Sequence, residues 1–199
     1  ILEFIGVNAK NLSNLRILNI GNNICSKSFR NNILLPPYIC SVFASGIQWR
    51  GPYLRTFFEV LFNNFDRELK LAFAHEDASQ NDWEMLDDFL SITAYRSLTA
   101  LNWSGNPMTS KFISFLGKNK NISTLEVSEC LSEDDPVNVR LFGSYLEGAK
   151  RLEKFIMRGS ESKNIGKMFG YILKILIMNG NVNDIDLSYN YGGNSAIQQ

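Results

Sequence analysis

The amino-acid sequence predicts an α/β fold: a curved solenoid of about seven repeats, with a concave parallel β-sheet and convex helices. Three observations carry this prediction. A phrase of the form L-x-x-L-x-L-x-x-N recurs along the chain, and its copies keep a period of 24 to 30 residues. Between copies, the apolar pattern switches to helical spacing.

The clearest copies begin at Leu15, Leu98 and Val182 and end on Asn23, Asn106 and Asn190. Looser copies run from Ile122 to Cys130 and from Leu152 to Ser160, and two weaker ones from Ile39 to Ala44 and from Glu68 to Phe73. With the second apolar position as the centre, the phrases fall at 18, 42, 71, 101, 125, 155 and 185. The third can also be placed two residues earlier, on Leu69. In the L-x-L pair, alternation points both apolar residues inward and the residue between them toward the concave side. Each copy buries its apolar face only against its neighbours. The closing Asn supplies an amide that satisfies main-chain groups of adjacent turns. Cys130 and Ser160 stand in that slot and form fewer such bonds, while Ile47 and Glu76 do not reproduce the Asn pattern.

Helical spacing follows the strands. It is carried by Tyr53, Phe57, Val60 and Leu61, then by Met85, Leu86, Phe89 and Leu90, then by Phe112, Phe115 and Leu116. Asp82 and Thr109 read as N-caps. Later helices are expected over 139–148 and 163–177. A spacing of 29 or 30 holds a full helix, whereas 24 leaves room for two or three turns. Residues 1 to 12 read as the tail of a preceding repeat's helix. At the far end, Asn190 is followed by Gly192-Gly193 where another helix is due. The expected organisation is one domain over 1–199, an internal segment of a longer array.

Composition narrows the function classes. The chain is 45% hydrophobic, with 20 basic and 20 acidic residues. That is ample for a packed core, and zero net charge argues against a dedicated nucleic-acid binder. The longest apolar stretch, 169–178, is broken by Lys174 and too short to span a bilayer, so no direct membrane insertion is expected. Three cysteines, Cys25, Cys40 and Cys130, close no disulfide framework and suit a reducing, cytoplasmic compartment.

Enzymatic chemistry finds few candidates. His75 is the single histidine, so every acid–base or nucleophilic scheme must use it. With the cysteines in separate repeats, a zinc site is not expected, and His75 reads as an ordinary residue at a strand exit. Gly143/Gly148 and Gly46/Gly51 have the spacing of a phosphate loop, but Ala149 and Pro52 stand where its Lys is required. The run Glu133-Asp134-Asp135-Pro136 suits a helix N-terminus. Asp82, Glu84, Asp87 and Asp88 read as the polar face of one helix. No cofactor and no metal are expected. The sequons at Asn11, Asn102 and Asn121 read as chance occurrences.

The concave surface remains as the candidate site, read from residues between and after the inward strand positions. Phe43, His75, Asn102, Glu126, Glu129, Arg158, Asp186 and Tyr189 are its candidate partner-binding side chains. Its first half is small and weakly polar, and its second half carries charges and an aromatic ring.

The repeated phrases resemble leucine-rich repeats over essentially the whole chain, in the length class of ribonuclease-inhibitor-like repeats. Three phrases are most similar to the CARMIL family. They are Ala44-Ser-Gly-Ile-Gln-Trp49 before a helix ending Phe62-Asn-Asn64, Leu116-Gly-Lys-Asn-Lys-Asn-Ile122 entering a strand, and Leu101-Asn-Trp-Ser-Gly-Asn106 leaving one. The resemblance implies a cytoplasmic scaffold that regulates actin capping protein, with its membrane-binding and capping-protein-binding parts outside these residues. No capping-protein motif maps onto any residue here. The expected function is a non-enzymatic protein–protein interaction scaffold whose partner's identity is open, with self-association left to a longer parent protein. The alternative is a regulatory module acting on an enzyme, of GTPase-activating or inhibitor type.

Overall fold

A computed structural model describes residues 1–191; Gly192-Gly193 and the helix expected there lie outside the described residues. In chain order the strands are β1 (Ile17–Asn19), β2 (Ile24–Cys25), β3 (Ser41–Phe43), β4 (Gln48–Trp49), β5 (Leu69–Ala72), β6 (Leu98–Asn102), β7 (Thr124–Glu126), β8 (Lys154–Ile156) and β9 (Asp184–Asp186). Seven of them form one parallel sheet in the order β1-β3-β5-β6-β7-β8-β9, while β2 pairs with β4. Leu18, Val42, Leu71, Leu101, Leu125, Phe155 and Ile185 are register partners from one edge to the other. The third strand is therefore centred on Leu71, and Leu69 is buried as well. A register shift at Leu69/Lys70 pairs Leu69 with Leu98 and Lys70 with Ala100. Thr99 is the extra residue, which lets Leu98 and Leu101 both reach the core.

Six helices lie between the strands: α1 (Leu2–Val7), α2 (Leu54–Asn64), α3 (Gln80–Ile92), α4 (Ser110–Lys118), α5 (Pro136–Gly148) and α6 (Phe169–Asn179). From α2 to α6 each packs on the next. The core between helices and sheet takes the strand centres from Leu18 to Phe155 and the residues two further on: Ile20, Ala44, Phe73, Trp103, Val127 and Met157. Ile185, at the centre of the end strand β9, is exposed rather than buried as its phrase predicts. Trp103 stacks on Phe112 at 4.0 Å, and Phe73 on Phe57 at 5.7 Å. This parallel arrangement is compatible with an α/β solenoid.

Several local expectations change. The unit between β1 and β3 holds no helix, since Pro36-Pro37 forbids helical geometry before it and removes two N–H donors. The other unit of 24 residues carries α4, nine residues or about two and a half turns. α5 begins three residues earlier than its apolar spacing indicates, at Pro136 in the first turn, with Asp135 accepting from Asn138 N–H. Much of 163–168 is a loop and a 3₁₀ turn (Gly166–Met168), and α6 ends at Gly180 with φ +70°. Thr109 caps α4 as its position predicts.

Asp82 does not cap α3. Ser79 does, accepting from Asp82 N–H. Asp82 is fully buried, and its carboxylate instead accepts from Tyr53 and Leu54 N–H at 3.2 and 3.1 Å, capping the neighbouring α2. Asp87 is buried too, so neither belongs to a solvated polar face, whereas Met85 is exposed. Burial pushes both carboxyl groups above the ordinary aspartate value.

Candidate functional site

On the sheet face away from the helices, side chains fall into rows set by their distance from the strand centre. One residue after the centre stand Asn19, Phe43, Ala72, Asn102, Glu126, Ile156 and Asp186. Three after it stand Gly21, Ser45, Ala74, Ser104, Ser128, Arg158 and Ser188. Four after it the chain turns through the left-handed region at Asn22, Gly46, His75, Gly105, Glu129 and Tyr189, with φ between 55° and 74°. That turn re-aims three large side chains, His75, Glu129 and Tyr189, along the end of the open face. Glycines alternate with them. At Gly105 a Cβ would lie 2.1 Å from His75 Nδ1, so the imidazole lies directly over this glycine.

The rows also close main-chain hydrogen bonds. Ser45, Ser104 and Ser128 hydroxyls accept from Ala74, Ser128 and Arg158 N–H at 3.0 to 3.1 Å. Asn19, Asn102 and Asp186 accept from the N–H two residues on, at Gly21, Ser104 and Ser188. The serine hydroxyls therefore bind successive turns to one another, and the Asn and Asp side chains brace each turn from within.

An open depression of about 670 Å³ crosses this face. Six of the eight predicted residues line it: His75, Asn102, Glu126, Glu129, Arg158 and Tyr189. Phe43 and Asp186 do not. Phe43 is exposed further along the sheet, and Asp186 is engaged with Ser188 and Arg158. Glu161 and Tyr191 line the depression without having been predicted. They sit in the loops after β8 and β9, where no strand or helix period marks a position.

The charges are partly compensated. Asn102 Nδ2 donates to Glu126 Oε2 at 3.0 Å, and Arg158 Nε to Asp186 Oδ2 at 2.7 Å. The hydroxyl and N–H of Ser188, and then Arg158, hold the Asp186 carboxyl down at about 2. Glu129 and Glu161 form no salt bridge among the described residues.

Cys130 is half-buried, its thiol lies within donating reach of the Trp103 and Ser128 carbonyls, and burial pushes it up to about 12, far from a reactive thiolate. Among the described residues no three His, Cys, Asp or Glu side chains are grouped to hold a metal ion. No described helix is long and apolar enough to cross a membrane. A second cavity, of about 320 Å³, lies beside β2 and β4, lined by Ile1, Cys25, Phe29 and Trp49, and holds none of the predicted residues. No protein-family model matches the chain, and no curated protein matches it.

Proposed function

We propose that this chain is a leucine-rich repeat segment of a non-enzymatic scaffold, binding a protein partner across the open face of its sheet. The observation that carries this reading is the gathering of His75, Asn102, Glu126, Glu129, Arg158 and Tyr189 around one depression. They come from five successive strands of the sheet. With strands about 4.8 Å apart, that row spans roughly 20 Å, the scale of a protein surface rather than a metabolite. Mixed charge, an exposed tyrosine and small residues between them suit an interface of ordinary polarity. The setting we favour is a cytoplasmic, CARMIL-like scaffold in actin regulation, through the three phrases around Trp49, Trp103 and Lys118.

A photo-crosslinking amino acid placed at position 189, and separately at the exposed Met85 position on α3, tests this in cell extract. Adducts from position 189 and none from position 85 are the expected result. Equal labelling from both, or none from 189, overturns the choice of face. Capping protein or an actin-associated factor as the crosslinked species supports the scaffold. A small GTPase or a nuclease as the dominant adduct replaces it with the enzyme-regulating alternative.

A further inference from the structure

Five residues after three of the strand centres, a side chain donates to the preceding turn. Asn106 Nδ2 donates to the Phe73 carbonyl at 2.7 Å, Cys130 Sγ to the Trp103 carbonyl at 3.3 Å, and Asn190 Nδ2 to the Met157 carbonyl at 2.7 Å. Each acceptor is the carbonyl two residues after the preceding strand centre. Asn106 also accepts, its Oδ1 receiving the N–H of Glu76 at 3.0 Å.

Glu76 occupies the same slot one unit earlier. Its Oε2 reproduces the accepting half, receiving Ile47 N–H at 3.2 Å and Trp49 Nε1–H at 2.7 Å. Its Oε1 is buried without a partner. The carbonyl that this oxygen should serve, by the pattern of the Asn106, Cys130 and Asn190 units, is that of Ala44. Ala44 is fully buried, and its carbonyl accepts no hydrogen bond among the described residues. An ionised carboxylate is acceptor-only and has nothing to offer a carbonyl oxygen, whereas a neutral carboxylic acid has one O–H to donate. By that pattern the two buried acceptors meet in one slot, where a single proton satisfies both.

We propose that Glu76 is a neutral carboxylic acid in the folded protein, acting as an asparagine surrogate that donates its O–H to the Ala44 carbonyl. The unit between β3 and β5 is therefore closed by a titratable proton and opens when that proton leaves.

The surroundings supply no cation to hold a charge there. On its own turn, Glu76 is flanked by His75 and Asp77. Arg50, after β4, pairs with Asp77 at 3.4 Å. Cys25 on β2 and Asp82 on α3 are the other ionisable groups on the elements around the slot, and neither hydrogen bonds to Glu76. Burial raises the group to about 8, against the opposing pull of the Trp49, Ile47 and Gly46 N–H donors. Because the folded group titrates above its ordinary value of 4.5, its stabilising contribution is complete below that value. It is lost as pH rises through about 8. Deprotonation sets a carboxylate against the Ala44 carbonyl and loosens the turn that presents His75 to the open face.

The test is 13C NMR of the whole chain, labelled at glutamate side-chain carboxyls, beside thermal unfolding of the native chain and Glu76→Gln. One signal titrating near 8 and missing from Glu76→Gln is expected, and the amide of that variant keeps both hydrogen bonds. The native melting temperature should fall relative to the variant's from about pH 5 to about pH 8, then stay parallel to it. Every glutamate signal titrating in the ordinary range overturns the proposal, as does a melting difference that is constant with pH. Should Glu76→Gln fail to fold, Glu76→Asn, the residue of the other units, takes its place in both measurements.

Discussion

Replacing Asp82 by Ala removes the acceptor of a helix to which Asp82 does not belong. α2 has no side-chain cap of its own, and its first N–H groups, at Tyr53 and Leu54, both bond to the Asp82 carboxylate. Asp82 is fully buried, so water does not replace the lost oxygen. Tyr53 N–H also donates to the Gly51 carbonyl at 2.8 Å, so Leu54 N–H is the donor left orphaned. That sets a gross loss of about 1–3 kcal/mol, and helix caps commonly measure about 1–2 kcal/mol. Relief from burying a carboxylate offsets part of it, leaving about 1–2 kcal/mol for Asp82→Ala. In a chain of this size that lowers the melting temperature by roughly 2–8 °C. Asp82→Asn keeps an acceptor oxygen and should lose about half as much. Hydrogen exchange locates the effect: the Leu54 amide should lose protection, while those of α5 and α6 keep theirs. Equal melting temperatures for Asp82→Ala and Asp82→Asn, with unchanged exchange at Leu54, would show that the contact between α3 and α2 carries no stability.

Other substitutions test separate parts of the structure. Leu125 is fully buried between Leu101 and Phe155, so Leu125→Asp should cost several kcal/mol, and an unchanged melting temperature refutes its inward placement. Gly105→Ala meets both a left-handed backbone and the His75 ring, so chemical denaturation should report a loss of at least about 1–2 kcal/mol. Adding His75→Ala should recover the steric part and leave the backbone part, a non-additivity that a double-mutant cycle reads directly. The Asp186 carboxyl, held at about 2 chiefly by Ser188 and then by Arg158, should titrate higher by NMR in Ser188→Ala than in Arg158→Gln. Its contribution to stability is present above the ordinary value of 3.8 and fades as pH falls toward about 2, so the Asp186→Asn difference should appear only above that acid range.

The strand centres were legible because the strand period is local and strict. A residue such as Leu101 or Leu125 is flanked by outward-facing neighbours, and a slip of one position would expose every inward side chain. The αL turns were not legible as such. Gly46 and Gly105 suggest them, but His75, Glu129 and Tyr189 hold the same backbone with no compositional sign. Six of the eight predicted surface residues line one depression: Asn102, Glu126 and Arg158 through the alternation that buries the centres, and His75, Glu129 and Tyr189 through the left-handed turn. Glu161 and Tyr191 escaped notice because loop geometry, not periodicity, brings them there.

Helix positions were legible to within a turn or so, and their ends less well. The unit holding Pro36-Pro37, between β1 and β3, carries no helix. α5 starts at Asp135-Pro136 through capping chemistry that its apolar spacing does not contain. Carboxylates were the residues most often misread. In the sequence, Asp82 and Asp87 look like ordinary solvated acids, and Glu76 like a residue that merely fails the Asn pattern of its slot. Their partners lie a full unit away, at Leu54, Thr109, and Ile47 with Trp49.

The sequence by itself determined which residue of each unit lies at a strand centre, and therefore the register and the two faces of the sheet. Short-range alternation of apolar residues suffices for that, since only one registration buries the centres from Leu18 to Phe155. The tertiary structure alone decided which polar groups are buried and what satisfies them. Those hydrogen bonds join residues about 24 to 34 positions apart, a separation across which no local pattern carries a signal.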